Sequence, residues 1–253
     1  MRRPRGLFRA LPAVNRVLRF AAAVALLGTL SGCQGIVSSP TPSQVRIIDA
    51  SPDAPGQDMY LGSNALAYNL GFGTVTSYIP LDPGTFAVAA KSAGTSQVLT
   101  SAKSTFAASG QYTVLIGNVS AGLTESILKD QSQAAPSGQI ALRLINEATR
   151  VSGLDVYLVP SGQTLLTVTA LYTNLIFGVN TGYLNVPTGT YTLVIVPTGT
   201  VPNSPTAAIY TGSKITYTSG SARTIVLIDQ QPATTPGLQV ITAVDYDAPT
   251  ATS

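Results

Sequence analysis

From residue 45 onward, the chain consists of short runs of alternating apolar and polar residues, separated by Gly, Pro, Asn, Asp and Ser. The period of two, together with many β-branched and aromatic residues, predicts strands, and no segment sustains the 3.6-residue period of an amphipathic helix. The predicted strands cover residues 45–50, 57–61, 65–70, 74–79, 85–91, 97–106, 111–118 and 124–129, and then 140–146, 154–159, 165–171, 181–185, 190–197, 206–217, 223–229 and 238–245.

The two groups of predicted strands share sequence matches in the same order, which indicates an internal duplication. Residues 45–51 (VRIIDAS) match 142–148 (LRLINEA), and Asp58 and Tyr60 match Asp155 and Tyr157 without a gap. Further matches join Phe72-Gly73 to Phe177-Gly178, residues 78–86 to 183–191, and residues 112–116 (YTVLI) to 224–228 (TIVLI).

The spacing of strands and turns predicts an all-β fold with two tandem antiparallel β-sandwiches, immunoglobulin-like or transthyretin-like. Leu227 and Ile228 lie in an unbroken apolar run that predicts a buried central strand. The predicted organisation is a signal peptide (1–32), a lipidated Cys and Ser/Pro-rich tether (33–44), a first sandwich (45–130), a linker (131–139), a second sandwich (140–247) and a flexible C-terminus (248–253).

The first 33 residues have the order of features found in a bacterial lipoprotein signal. An arginine-rich segment precedes an apolar run, residues 20–30, which is shorter than the roughly 20 residues that span a bilayer. Leu30-Ser31-Gly32-Cys33 follows and resembles a lipobox, so we expect cleavage between Gly32 and Cys33. The resemblance implies lipidation (palmitate-type acyl chains) of Cys33, and Gln34 favours the outer over the inner membrane.

Charge is concentrated in the predicted signal peptide. Six of the 14 basic residues precede Cys33, which leaves eight against 11 acidic residues and a net charge of about −3. A nucleic-acid-binding domain needs clustered Lys and Arg, so no nucleic-acid partner is expected. Cys33 is the only cysteine, which excludes an intramolecular disulfide.

The first predicted sandwich carries a family resemblance. Val45-Arg-Ile-Ile-Asp-Ala-Ser-Pro-Asp-Ala-Pro55, followed by Asp58-Met-Tyr60 and Phe72-Gly73, resembles the opening of the domain-of-unknown-function family 4397. Asp49 stands where that family often has His, and the second copy lacks the Ser-Pro-Asp-Ala-Pro segment. The resemblance implies an envelope or secreted β protein, often with tandem copies, and implies no known activity.

The residue inventory excludes several chemistries. The chain has no His, so Ser-His-Asp triads and His-ligated metal sites cannot form. Ser101 with Lys103, and Ser213 with Lys214, lack Ser-x-x-Lys spacing and lie in predicted strands or turns. We therefore expect no catalytic residue, no metal and no cofactor apart from the covalent lipid on Cys33.

Asp49, Asp53 and Asp58 form the one acidic cluster that could hold a weak cation. The interpretation as turn and strand caps is favoured, because the matching positions are Asn146, Arg150 and Asp155, and Arg is no cation ligand. We expect Arg46 and Arg143 to pair with Asp58 and Asp155, respectively, across neighbouring strands. Asp245 and Asp247 are expected at a solvated strand end. The tyrosines that match between copies, such as Tyr60 with Tyr157 and Tyr78 with Tyr183, predict core or corner positions.

These features favour a lipid-anchored envelope protein that acts as a non-enzymatic structural, adhesive or binding module. The expected partners are the membrane, through the lipid, and an envelope polysaccharide or protein. Two alternatives stay open. One is a carbohydrate-binding surface lipoprotein, and the other is a hydrolase that uses paired carboxylates.

Overall fold

Regular structure in the computed structural model, which describes residues 40–201, 208–230 and 237–247, is almost entirely strand. Two 3-10 helices, Ser120–Gly122 and Leu165–Thr167, are the exceptions among these residues. The strands are β1 (Ser43–Asp49), β2 (Gln57–Leu61), β3 (Asn64–Leu70), β4 (Ile79–Leu81), β5 (Gly84–Ser92), β6 (Val98–Phe106), β7 (Gln111–Gly117), β8 (Thr124–Lys129), β9 (Gln139–Asn146), β10 (Leu154–Pro160), β11 (Tyr172–Leu175), β12 (Asn180–Pro187), β13 (Gly189–Pro197), β14 (Tyr210–Tyr217), β15 (Ala222–Asp229) and β16 (Leu238–Tyr246). The predicted signal peptide, Cys33, most of the tether and the C-terminus 248–253 lie outside the described residues.

Four four-stranded sheets form two sandwich-like halves. In the first half the inner sheet has the order β4-β1-β7-β8 and the outer sheet has the order β3-β2-β5-β6. In the second half the inner sheet is β12-β9-β15-β16 and the outer sheet is β11-β10-β13-β14, which is the same order eight strands later. The predicted all-β sandwich class is confirmed. One pair in each inner sheet, β1 with β7 and β9 with β15, runs parallel, which the sequence pattern did not predict.

Three apolar clusters hold the sheets together. The first lies between the sheets of the first half, around Ile47, Met59 and Phe106, and the second lies between the sheets of the second half. The third, which we call the seam, contains Ile48, Ala50, Leu115, Ile145, Val226, Ile228, Ile241 and Ala243, all from the two inner sheets or the residue after β1. The two halves therefore pack inner sheet against inner sheet.

The central inner strands are buried on both faces, which explains their unbroken apolar runs. Ile47 points into the first sandwich core, while its neighbour Ile48 points into the seam. In the same way Leu227 faces the second core and Ile228 faces the seam, and both are fully buried. β15 is a central strand, as the apolar run predicted.

The structure corrects one alignment between the halves by a single residue. Arg46 lies beside Thr113 in the first half, and Arg143 lies beside Thr224 in the second. Thr113 therefore corresponds to Thr224, whereas the sequence match of 112–116 with 224–228 placed it opposite Ile225. A slip of one residue exchanges the two faces of a strand, so only the sheet register gives the correct equivalence.

One predicted strand was wrong, and two others were wrong in part. Residues 74–79 run beside β1 but pair irregularly, through an isolated bridge between Val75 and Ile48 and a hydrogen bond from the Ile47 amide to Thr76 Oγ1, and β4 begins only at Ile79. The strand predicted over residues 165–171 was wrong. This segment begins with the 3-10 helix Leu165–Thr167 and packs across a sheet face, and the next strand, β11, begins only at Tyr172. In the range 206–217, residues 206 and 207 lie outside the described residues and β14 begins at Tyr210.

Candidate functional site

The three clustered aspartates serve three separate backbone turns. Asp49 Oδ1 accepts the Ser51 amide at 3.0 Å, and Asp53 Oδ1 accepts the Ser120 amide at 2.7 Å. Asp58 accepts two amides, those of Asn69 at 2.8 Å and Gly94 at 2.9 Å. Within the described ranges no group of three or more acidic or sulfur side chains is placed to hold a metal ion. The capping interpretation accounts for these contacts, since each carboxylate accepts the backbone amides of a different turn.

The environments of these aspartates also differ electrostatically. Burial raises the pKa of Asp49 to about 6, against a hydrogen bond from the Ser51 amide that lowers it. The two amide donors lower the pKa of Asp58. In the second half Asp155 holds the matching turn, where it accepts the Asn174 amide and the Thr198 hydroxyl, both at 2.8 Å. Asp58 and Asp155 thus fix an asparagine with positive φ in each half, 48° at Asn69 and 54° at Asn174.

The two strand-one arginines do not pair with Asp58 and Asp155, and that prediction was wrong. Arg46 forms an ion pair with Asp245 and donates to the Val244 carbonyl oxygen at 2.7 Å. Arg143 forms an ion pair with Asp130 and donates to the Lys129 carbonyl oxygen at 3.2 Å. The reason is geometric, because Arg46 alternates with Ile47 and so faces the seam, whereas Asp58 lies on the outer sheet.

We call Arg46, Arg143, Asp130 and Asp245 the crossed cluster, because each arginine reaches the aspartate of the opposite half. Its contacts repeat with approximate twofold symmetry. Arg46 Nε donates to Thr113 Oγ1 at 2.8 Å, and Arg143 Nε donates to Thr224 Oγ1 at 3.0 Å. Each of these threonines donates in turn to the aspartate of its own half, Asp130 or Asp245, at 2.7 Å.

Two tyrosines complete the crossed cluster. Tyr78 Oη donates to Asp130 at 2.7 Å, and Tyr183 Oη donates to Asp245 at 2.9 Å. The guanidinium carbon of Arg46 lies 4.9 Å from the centre of the Tyr78 ring, and Arg143 lies 4.9 Å from the Tyr183 ring. The matched pair Tyr78 and Tyr183 therefore belongs to the joint between the halves, where each ring covers a buried cation.

The crossed cluster is desolvated, and its charges balance. The arginine side chains are 3% exposed and the two aspartate side chains are 0% exposed. Burial by itself would lower the pKa of Arg46, but the negative charges of Asp245 and Asp130 outweigh it and raise that pKa. Burial raises the pKa of Tyr78 and of Tyr183, so both phenols stay protonated donors. Every polar group of the crossed cluster has a hydrogen-bond or ion-pair partner within the cluster or on the adjacent backbone. The cluster therefore joins the two halves, and none of its side chains is free to act as a base or nucleophile.

Asp245 and Asp130 are both more important to the fold than the sequence pattern predicts. Asp245 was expected at a solvated strand end but is 4% exposed, whereas Asp247 does lie at the surface and pairs with Arg223. Asp130 was not singled out at all. It follows β8, and the sheet register places it at the position that Asp245 has in β16. The residues before the two aspartates, TESILK and QVITAV, share no identity in that register, so only the structure reveals the equivalence.

A buried carboxyl group lies at the same joint. Glu147 follows β9 and is 6% exposed, and its carboxylate contacts Gly117 of the first half so closely that a Cβ there would lie 2.1 Å from Oε2. Burial raises the pKa of Glu147 to about 7, although the Asn118 amide donates to the carboxylate and lowers it. No described residue donates to Oε2. The folded state therefore favours protonated Glu147.

The outward faces of the two outer sheets differ. In the second half Tyr157, Val159, Val194 and Val196 are buried, because Leu165, Val168, Ala170 and Ala208 pack over them. In the first half the corresponding face is open. There Tyr68 is 68% exposed, and its ring meets Tyr60 edge to face with centroids 6.5 Å apart.

Comparison with known proteins supports the family resemblance over part of the chain. The family model of DUF4397, a domain of unknown function, matches residues 43–157, from β1 into β10. No curated protein matches the chain. Similar solved structures include the family CBM26 module CBMbc of Eubacterium rectale Amy13K in complex with maltoheptaose, at 12% identity and a TM-score of 0.23, covering 81% of this chain and 98% of that one. No helix among the described residues is long and apolar enough to cross a membrane.

Proposed function

We propose that this chain is a lipid-anchored, non-enzymatic cell-envelope protein whose two sandwiches, tandem copies of one domain, act as one rigid structural or binding module. The observation that carries this proposal is the crossed cluster. Each half supplies the buried cation that neutralises the other half's buried aspartate. Separating the halves would break both of these ion pairs and leave only the 3.6 Å contact between Arg46 and Asp130 within the first half, so the two sandwiches act as a unit.

The anchoring part of the proposal rests on the sequence before the first sandwich. Leu30-Ser31-Gly32-Cys33 follows an apolar run of lipoprotein length, and acylation of Cys33 by several chains would give durable membrane attachment. The Ser/Pro-rich segment up to residue 42 would then hold the module away from the bilayer by about 30 Å when extended. Gln34 favours the outer membrane.

The non-enzymatic part rests on how the acidic side chains are used. Seven aspartates in the described residues accept backbone amides or belong to the crossed cluster: Asp49, Asp53, Asp58, Asp130, Asp155, Asp229 and Asp245. An acid or base catalyst needs a carboxyl group free to reach a substrate. These seven of the eleven acidic side chains hold turns or the contact between the halves.

Metabolic labelling with an alkyne fatty acid tests the anchor. In a Gram-negative host we expect labelled protein in the membrane fraction, with a mature N-terminus at Cys33 by mass spectrometry. The Cys33→Ser variant should lose the label and leave the membrane pellet. An unlabelled wild type, or a Cys33→Ser variant that stays in the membrane, would contradict the proposal. Protease treatment of intact cells then shows on which side of the outer membrane the module lies. Cleavage indicates the cell surface, and protection indicates the periplasm.

A further inference from the structure

The open face of the first outer sheet combines an exposed aromatic ring with a fixed cation. Tyr68 on β3 is the most exposed large aromatic side chain of the described residues. Beside it lies Tyr60 on β2, and the Lys91 ammonium group packs over the Tyr60 ring, with Nζ 4.1 Å from the ring centre. The ring attracts the cation through its negative face, which limits the positions that this long side chain takes.

The remainder of this face carries small side chains together with polar ones. In the sheet register Tyr60 lies beside Ala89, and Ala89 lies beside Ser101 on β6. One row further along, Ala87 lies beside Lys103. Small side chains in the middle allow a ligand to approach the sheet. The ammonium groups supply hydrogen-bond donors, whereas Ser101 Oγ already donates to the Val88 carbonyl oxygen at 2.7 Å and is left as an acceptor.

The second half shows how the same position is closed. There Val194 and Val196 stand at the places of Ala89 and Lys91, and residues 161–171 cover them with apolar side chains. In the first half the connection between β2 and β3 is only Gly62-Ser63, so no such segment covers the face. A lysine and small residues replace the valines, which makes the open face unsuited to an apolar strap and suited to a polar ligand.

We propose that this face, defined by Tyr60, Tyr68, Lys91, Ser101 and Lys103, binds an acidic polysaccharide, an assignment that rests on the proposed binding role. A sugar ring presents a flat C–H face that stacks on an exposed tyrosine, and its carboxylate pairs with a lysine. Two of the four lysines of a chain that is otherwise acidic after residue 33 lie here. Lys91 forms no ion pair in the described residues, and Asp58, its neighbour in register, already accepts two backbone amides.

Affinity electrophoresis of the full-length protein in detergent tests this assignment, with polygalacturonate as the acidic probe and amylose as the neutral one. We expect polygalacturonate to retard the protein, amylose to have much less effect, and added salt to weaken the retardation. Tyr68→Ala and Lys91→Gln should each weaken binding by about tenfold. Lys214→Gln on the second outer sheet, and Leu166→Ala, an exposed apolar residue at 65%, are matched controls that should bind as the wild type does.

Three results would overturn the inference. These are the absence of retardation by polygalacturonate, equal retardation by amylose, and a loss of binding in the Lys214→Gln control that matches the loss in Lys91→Gln. Unfolding midpoints equal to the wild type show that the variants are folded. Failure here is separable from failure of the anchor, because Cys33→Ser protein should bind polygalacturonate normally. If the lipidated protein does not bind polygalacturonate, only the assignment of the ligand is refuted, and the proposed anchor stands.

Discussion

Replacing Arg46 by Met should destabilise the protein more than the same change at Arg143, although the two positions correspond. Arg46 is the only described cation paired with Asp245, and it also lies 3.6 Å from Asp130. Arg143 pairs with Asp130 alone. After Arg143→Met, Asp130 therefore keeps a nearby cation, whereas after Arg46→Met, Asp245 has none.

The structure sets the expected magnitudes. Removing one partner of a buried pair costs about 3–5 kcal/mol, because a desolvated charge loses its counterion. We expect Arg46→Met near the upper end and Arg143→Met near the lower end of that range. The double variant Arg46→Met/Asp245→Leu should recover at least about half of the Arg46→Met loss, because no lone charge is left buried. Arg223→Met is the control, since its partner Asp247 has a side chain that is 57% exposed, and it should cost less than about 1 kcal/mol.

Urea unfolding followed by far-UV circular dichroism and tyrosine fluorescence measures these free energies. The wild type should unfold in one transition that both probes report alike, because the crossed cluster couples the halves. A cost below about 1 kcal/mol for Arg46→Met, or a double variant less stable than Arg46→Met alone, would refute the role assigned to the cluster. Two separate transitions in the wild type would refute the rigid coupling of the halves.

Three other predictions concern the contact between the two halves. The pKa of Glu147 rises from 4.5 unfolded to about 7 folded, so the native state holds this proton more tightly and stability should fall as pH rises from about 4.5 to 7. Glu147→Gln should lessen that fall and stabilise the protein at pH 8 by about 2–3 kcal/mol in urea titrations, and an unchanged pH profile would contradict this. Gly117→Ala should cost about 1–3 kcal/mol by the same measurement, because its Cβ would overlap the Glu147 carboxylate, and adding Glu147→Ala should relieve most of that cost. Ile145→Ala, at a seam position 2% exposed, should cost about 2–5 kcal/mol in thermal or urea unfolding, and a cost under 1 kcal/mol would show that the seam is not a packed core.

Local features of this chain were readable from its sequence, because their causes lie within a few residues. Alternation of apolar and polar side chains located most strands, and runs such as Val226-Leu227-Ile228 marked the strands buried on both faces. The turn role of Asp49 is local too, since its carboxylate reaches an amide only two residues away. Where a strand edge was irregular, as at residues 74–79, the same alternation misled, because pairing depends on a neighbouring strand.

The joint between the halves was decided by tertiary structure alone. Arg46 and Asp245 lie 199 residues apart, and an arginine in a strand has candidate partners on every neighbouring strand. Sequence spacing favoured Asp58, which is near in the chain but on the other sheet. The parallel pairing of β1 with β7 and the packing of the inner sheets place Arg46 beside Thr113 and against β16. Burial then makes the choice of partner strict, because a desolvated guanidinium is stable only beside a carboxylate that shares its buried environment.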